Sequence, residues 1–288
     1  MPELTEVEVV KKSLEKSIKN LIIKKIQINT KKLRYFVDKN KINRTVGRKI
    51  ISIKRRSKYL IIEVEKNLSI LAHLGMTGKF LLLNKKKKLK RTSFYYQLSN
   101  KGSKHNHVIF NFNNNTKLIY NDVRKFGFIK VIQSNKLNQS THLKTLGPEP
   151  LSKNFNTTYF KKFILNKKKC LKDLLMDQKF VSGLGNIYVN EVLFKSELRP
   201  NKIIQKISTK EIEKIIKFIR EILKKSIKLG GSSIKDFKDG EGRDGNFQQL
   251  FSVYGREGEK CLNNKCQSII KKTVISNRST FFCKSCQK

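Results

Sequence analysis

A chain of 288 residues with 38 % hydrophobic content is long enough to bury one or two cores. Its 64 Lys and Arg against 22 Asp and Glu leave a net charge of +42, which points to a polyanionic partner, since phosphate neutralisation supplies most of the affinity for nucleic acid. No apolar run is long enough to span a membrane, no charged-then-apolar leader opens the chain, and the five cysteines suit an intracellular metal site better than a disulfide framework. The expected location is therefore cytoplasmic. Lys, Ile and Asn crowd the sequence as an AT-rich coding sequence would dictate, so part of the charge is compositional. The run Lys85–Lys88 reads as a solvated loop, and the scarcer arginines inside motifs (Arg55, Arg56, Arg124, Arg256 and Arg278) carry more weight.

Residues 3–19 are predicted as an amphipathic helix, with Leu4, Val7, Val10, Leu14 and Ile18 on one face. Short β-branched or apolar runs divided by polar turns follow: Ile51–Ile53, Leu60–Val64, Ser69–Leu74, Lys79–Leu83 and His107–Phe112. Many short strands after one helix predict a β-sandwich or flattened barrel. A polar stretch at Gln133–Lys144 separates it from a helical half entered through Leu146-Gly147-Pro148-Glu149-Pro150. There the segment after Ser208 has a capping box with Glu211, a core face of Ile212, Ile215, Ile216, Ile219, Leu223 and Ile227, and a stop at Gly230-Gly231. The cysteine-bearing part begins near Phe251. The expected class is α+β in three domains: a sandwich over 2–135, a helical domain over 145–245 and a C-terminal β-hairpin over 251–288.

Four motifs carry chemistry. Removal of Met1, usual before a small residue, would leave Pro2 as a secondary amine that titrates near pH ~8 and forms a cationic iminium with an aldehyde, with Glu3 beside it as an acid/base. The same residues also read as an ordinary terminus ahead of a helix. Cys261, Cys266, Cys283 and Cys286 form two close pairs across a short hairpin, the spacing of a closed four-thiolate zinc site with a structural role; Arg278 lies at the hairpin's far end, and Cys170 reads as a small buried hydrophobe. Lys179–Tyr188 is a glycine-punctuated turn between helices, either a plain connection or a phosphate cradle. Arg124 with Phe126, and Met76 between Gly75 and Gly78, read either as packing or as tips that could enter a duplex as a wedge.

Taken in order, Pro2-Glu3-Leu4 with Glu6, Arg55–Leu60, His73–Gly78, Lys104–His107, Arg124–Gly127, Leu146–Leu151, Gly185–Tyr188, Val253–Arg256 and the cysteine ribbon resemble the formamidopyrimidine-DNA glycosylases over essentially the whole chain. The resemblance implies an N-terminal sandwich, a helix-two-turn-helix domain and a zinc ribbon with one structural zinc. It also implies excision of oxidised purines from double-stranded DNA, followed by β,δ-elimination at the abasic site, by a monomer associated with the bacterial nucleoid. The implied roles are Pro2 as Schiff-base nucleophile, Glu3 as proton donor to the sugar ring oxygen, Lys58 as proton donor and phosphate contact in β-elimination, and Arg278 in δ-elimination and phosphate grip. His105, Arg124, Lys167 and Asn186 would contact the DNA backbone. Met76, Arg124 and Phe126 would fill the gap left by the flipped base, and Gly231–Phe247 corresponds to the mobile loop that closes over it.

Three positions depart from the family pattern. Thr5 replaces a second proline, the first cysteine pair has four intervening residues rather than two, and Asn246 stands where an aromatic is common. Two rival readings are endonuclease VIII, which shares the Pro-Glu start but prefers oxidised pyrimidines, and a non-enzymatic zinc-ribbon nucleic-acid binder. Leu4, the Arg124/Phe126 pair and Val253–Arg256 favour the purine enzyme, and a binder would have no use for Pro2, Glu3 and Lys58.

Overall fold

The computed structural model describes residues 1–83, 89–91, 103–232 and 248–288. The Lys85–Lys88 run and most of the Gly231–Phe247 stretch, Asn246 included, lie outside the described residues. The chain divides into two compact units, Met1–Lys144 with Gly230–Asn246, and Thr145–Leu229 with Phe247–Lys288.

In the first unit the elements run α1 (Leu4–Ile18), β1 (Ile23–Ile28), α2 (Lys39–Asn43), β2 (Ile50–Arg56), β3 (Tyr59–Val64), β4 (Leu68–His73), β5 (Lys79–Leu83), β6 (Leu89–Arg91), β7 (Asn106–Phe112), β8 (Lys117–Asn121) and β9 (Phe128–Gln133). They form two antiparallel sheets, β1-β7-β8-β5-β6 and β2-β3-β4-β9. Alternation along the strands turns Leu60, Ile62 and Val64 of one sheet and Phe80, Leu82, Val108 and Phe110 of the other into a single core. The predicted face of α1 joins that core: Val7, Val10, Leu14 and Ile18 belong to it, and Leu4 is fully buried. All five expected strands are present. Four others, β1, β6, β8 and β9, escaped the pattern. In β1 a register shift between Ile23 and Lys25 breaks the period-two alternation, and β9 keeps only Phe128 and Ile129 fully buried.

The second unit contains α3 (Thr157–Ile164), α4 (Leu171–Met176), α5 (Asn186–Lys195), α6 (Thr209–Lys228) and the hairpin β10 (Ile270–Ile275) and β11 (Arg278–Cys283). Its main core is built from all four helices, with Phe155, Phe160, Leu175, Phe180, Tyr188, Val192, Ile215 and Ile219 among its members. α6 begins at the predicted cap, with Ser208 Oγ accepting from Glu211 N–H and the Glu211 carboxylate accepting from Ser208 N–H. Ile227 is only half-buried. The core position at that turn is taken by Ser226, whose hydroxyl hydrogen-bonds the buried Tyr188 hydroxyl at 2.7 Å. Cys170 is likewise not a buried hydrophobe: it is half-buried at the start of α4, and its Sγ accepts from Asp173 N–H.

Candidate active site and nucleic-acid interface

In the first unit the chain enters α1 with Pro2, Glu3 and Glu6 all buried. Glu3 and Glu6 form a reciprocal capping box, with Glu6 Oε2 accepting Glu3 N–H at 2.8 Å. Glu6 is more than a cap, because its Oε1 also accepts from Thr5 Oγ1 at 2.8 Å. Lys58 sits in the tight β2–β3 turn, 7 % exposed, beside Ser57 in left-handed backbone at φ 56°. That turn is fixed to α1 through Arg55, which donates to Glu8 at 2.7 Å and to the Ser57 carbonyl at 2.9 Å. The amine present is that of Met1, which stands one residue upstream of the secondary amine that its removal would expose on Pro2. Burial pulls this amine below its ordinary value, against the carboxylates of Glu3 and Glu6 that raise it, while Lys58 and Arg124 lower it further. An amine, two carboxylates and a lysine thus share one partly desolvated corner.

Next to it, Met76 (41 % exposed) and Phe126 (46 % exposed) project as apolar tips. The Arg124 guanidinium lies 4.5 Å from the Phe126 ring centre, and Lys125 between them takes φ 56°. The Met76 and Phe126 turns are packed backbone to backbone: a Cβ on Gly75 would lie 2.5 Å from Gly127 N. His73, opposite Tyr59 in the sheet, accepts Gly75 N–H at Nδ1 over 3.1 Å. Burial, with nearby Lys58, Arg34 and His142, lowers its pKa from 6.5 to about 4, so it stays neutral. His105 is half-buried, and its carbonyl accepts from Asp122 N–H.

In the second unit Gly185 caps α5 and Asn186 is its first residue. Gln178 clamps the glycine turn by donating to the Leu184 carbonyl and accepting from Gly183 N–H, each at 2.8 Å. Three polar side chains then grip the edge of β11. Asn186 donates to the Ser279 carbonyl at 2.9 Å, Lys172 donates to the same carbonyl and to Thr280 Oγ1, and Asn190 accepts Phe281 N–H at 2.8 Å. Arg278 opens that strand, exposed, after a two-residue turn in which Ser276 and Asn277 both take positive φ. Glu191, buried in α5, accepts the N–H groups of Ser252, Val253 and Tyr254, and burial pushes its carboxyl up against those three donors. Lys167 is half-buried with its ammonium over the Phe163 ring.

The sulfurs of Cys261, Cys266, Cys283 and Cys286 all lie within 4.8 Å of one another. The Cys261–Cys286 and Cys266–Cys283 separations of 3.8 and 3.6 Å match the edge, about 3.8 Å, of a tetrahedron with ~2.3 Å metal–sulfur bonds. The donor set fits a tetrahedral thiophilic ion, and the longer first loop closes on the cluster through Asn263, whose amide donates to Cys286 Sγ.

The sequence profile of the formamidopyrimidine-DNA glycosylase N-terminal domain matches residues 1–129, and that of the formamidopyrimidine-DNA glycosylase H2TH domain matches residues 146–238. The chain belongs to the formamidopyrimidine-DNA glycosylase family. It is 41 % identical to the formamidopyrimidine-DNA glycosylase of Rickettsia bellii over 288 residues, covering all of both chains. Its fold is similar to that of Lactococcus lactis Fpg in complex with DNA containing an abasic site (TM-score 0.83, 35 % identity, 99 % of each chain). It is equally similar to a mutant of the same protein in complex with Fapy-dG containing DNA (TM-score 0.84, 35 % identity, 100 % of each chain). Formamidopyrimidine-DNA glycosylases are enzymes of DNA repair, acting on damaged bases. Among the described residues no helix is long and apolar enough to cross a membrane.

Within this glycosylase the first unit brings Pro2, Glu3, Lys58, Met76, Arg124, Phe126 and His105 together, and the second brings together Asn186, Arg278 and the four cysteines. Lys172 was not singled out in the sequence. Burial, and then Arg278, lower it from 10.5 to about 8, and it holds the strand that carries Arg278. A lysine placed second in a helix, beside the glycine-turn motif, was its only signal.

Proposed function

We propose that the chain is a bifunctional base-excision enzyme for oxidised purines, 8-oxoguanine and formamidopyrimidines, in double-stranded DNA. Once Met1 is removed, the Pro2 nitrogen attacks C1′ of the flipped nucleotide and the bond to the base breaks, its electron pair leaving with the base. Glu3 delivers a proton to the sugar ring oxygen, the ring opens, and the nitrogen becomes an iminium that acidifies the C2′ hydrogen. Loss of that proton expels the 3′ phosphate with Lys58 as proton donor, and a second elimination with Arg278 at the phosphate expels the 5′ one. Hydrolysis of the iminium returns the free amine. Met76, Arg124 and Phe126 fill the vacated stack and offset the few kcal/mol that extrusion costs; His105, Asn186 and Lys167 hold the backbone. Cys261, Cys266, Cys283 and Cys286 hold one structural zinc, and the enzyme acts as a cytoplasmic monomer on nucleoid DNA.

The observation that carries this reading is the partly buried amino terminus, whose electrostatic surroundings are Glu3, Glu6, Lys58 and Arg124. A plain helix start uses the two carboxylates as its capping box but has no use for a buried lysine beside the amine. Borohydride added to a reaction with abasic duplex DNA tests it. The expected result is a covalent adduct at the chain's N-terminal residue; no adduct from protein whose N-terminus is proline would overturn it.

A further inference from the structure

The carboxylate of Asp122 is fully buried just past the end of β8, and no charged partner among the described residues explains it. It is spent instead on the ends of three neighbouring segments. Oδ1 accepts from Thr77 Oγ1 at 2.5 Å and from Arg124 N–H at 3.2 Å. Oδ2 accepts from Gly127 N–H at 2.8 Å, with the Tyr120 hydroxyl at 3.4 Å. Thr77 Oγ1 in turn accepts from Arg124 N–H at 3.0 Å. The main chain of Asp122 adds a third segment: its N–H donates to the His105 carbonyl, and its carbonyl accepts from His107 Nε2 at 2.8 Å.

The groups so held adjoin the exposed tips Met76 and Phe126. Thr77 follows Met76. Arg124 N and Gly127 N bracket the loop that carries Phe126, and Lys125 within it takes left-handed backbone that an untethered loop would not favour. A carboxylate suits the position because Oδ1 and Oδ2 each accept from a donor, Thr77 Oγ1 and Gly127 N–H; a carboxamide would turn an NH2 group toward one of them. Nothing in the chemistry at C1′ requires this group, and it touches neither Glu3 nor Lys58 through any of these bonds.

We infer that Asp122 is a positioning residue that locks the Met76 turn and the Arg124–Phe126 loop into one rigid wedge for opening the duplex. The inference rests on the proposed function, which makes those tips the wedge. It predicts that damage at Asp122 is felt where a base must be driven out of a stack and not where the sugar is already accessible.

The test compares two substrates under single-turnover conditions. One is a duplex with 8-oxoguanine opposite cytosine, which needs the wedge. The other is a single-stranded oligonucleotide with a preformed abasic site, trapped with borohydride, which does not. Asp122→Asn should slow excision from the duplex about tenfold or more while trapping on the single strand stays within about twofold of wild type. Thr77→Val, a milder lesion of the same hub that leaves the carboxylate in place, should show the same split, and Thr77→Ser should restore duplex excision. Equal losses on both substrates in both variants would mean a merely structural role, and wild-type excision by Asp122→Asn would mean no role; either overturns the inference. A wild-type chain that traps no abasic DNA refutes the proposed function, and this inference with it.

Discussion

Glu6 Oε1 accepts two hydrogen bonds from Ser232, one from its main-chain N–H and one from its hydroxyl, each at 2.9 Å. The bond joins the first turn of α1 to a residue 226 positions away, at the root of the stretch read as the base-closing loop. Gly231 takes φ +85°, and a Cβ there would press on the Glu6 side chain at 3.3 Å. The carboxylate therefore connects the segment bearing the proposed nucleophile to the base of that stretch. Thr5, where the family pattern has proline, adds a further donor to the same oxygen. Ser232→Ala should remove one of these bonds at a cost of about 1 kcal/mol. Hydrogen exchange at the residue 232 amide should accelerate roughly fivefold. Glu6→Gln, which turns an NH2 group toward a donor, should accelerate it more. Unchanged exchange in both variants would show that the tie does not hold the loop root.

Glu3 is 3 % exposed beside the amino terminus, and in the proposed chemistry its proton is needed to open the sugar ring of an intact nucleotide. A preformed abasic site already exists partly as the open aldehyde and needs that proton less. Glu3→Gln should therefore lose excision of 8-oxoguanine by at least roughly 100-fold while strand cleavage at a preformed abasic site falls by less than about tenfold. Gel quantification of both products on matched duplexes reads the ratio. Equal losses would remove Glu3 from the ring-opening step.

The parts of this fold that were legible in the sequence are those with a period. Leu4, Val7, Val10, Leu14 and Ile18 repeat at the helical spacing and are all buried, and the Ser208–Glu211 box marks the start of α6 because both halves of the cap lie within one turn. Where local pattern and tertiary contact disagree, contact wins: Ser226 occupies the core position because its hydroxyl has a buried partner in Tyr188, and Ile227 does not. The candidate site divides in the same way. Pro2, Glu3, Arg278 and the cysteines are visible as reactive residue types in recognisable spacing, and Lys58 only through the family resemblance. Glu6, Asp122, Lys172 and Glu191 fix the turns and strands around them through partners up to 226 residues away. A buried polar residue satisfied at long range leaves no periodic trace.

His73 makes stability depend on pH. Its Nδ1 accepts Gly75 N–H and cannot do so when protonated. Its pKa falls from 6.5 to about 4 on folding, so between those values the unfolded chain binds a proton that the native chain does not. Stability therefore rises with pH across that window and is lost as pH falls from 6.5 through 4. The ceiling on this contribution is about 3 kcal/mol. His73→Asn, whose side-chain oxygen can still accept from Gly75, should flatten that part of the profile. Urea unfolding at pH 6.5 and at pH 4.5 provides the check: the wild-type midpoint should drop more than the variant's. Parallel drops would assign the acid sensitivity to other groups.

The cysteine cluster should behave as a closed structural site. Its hairpin has little core of its own: Ile270, Phe281 and Cys283 are buried with Val253 and Phe194, while Lys271, Lys272, Thr273 and Val274 are exposed. A small element with so few apolar contacts would depend on an ion held by the four thiolates, because metal binding supplies folding free energy directly. Removing the ion from the purified protein with a chelator should make four additional thiols reactive toward a disulfide reagent, those of Cys261, Cys266, Cys283 and Cys286. It should also release the strand that Lys172, Asn186 and Asn190 hold, and with it Arg278. Affinity for abasic duplex DNA should fall, and one equivalent of zinc should restore both thiol protection and binding. Affinity that survives full exposure of the four thiols would show that the hairpin is not needed for DNA binding. Thiol protection restored by another divalent ion but not by zinc would reassign the metal.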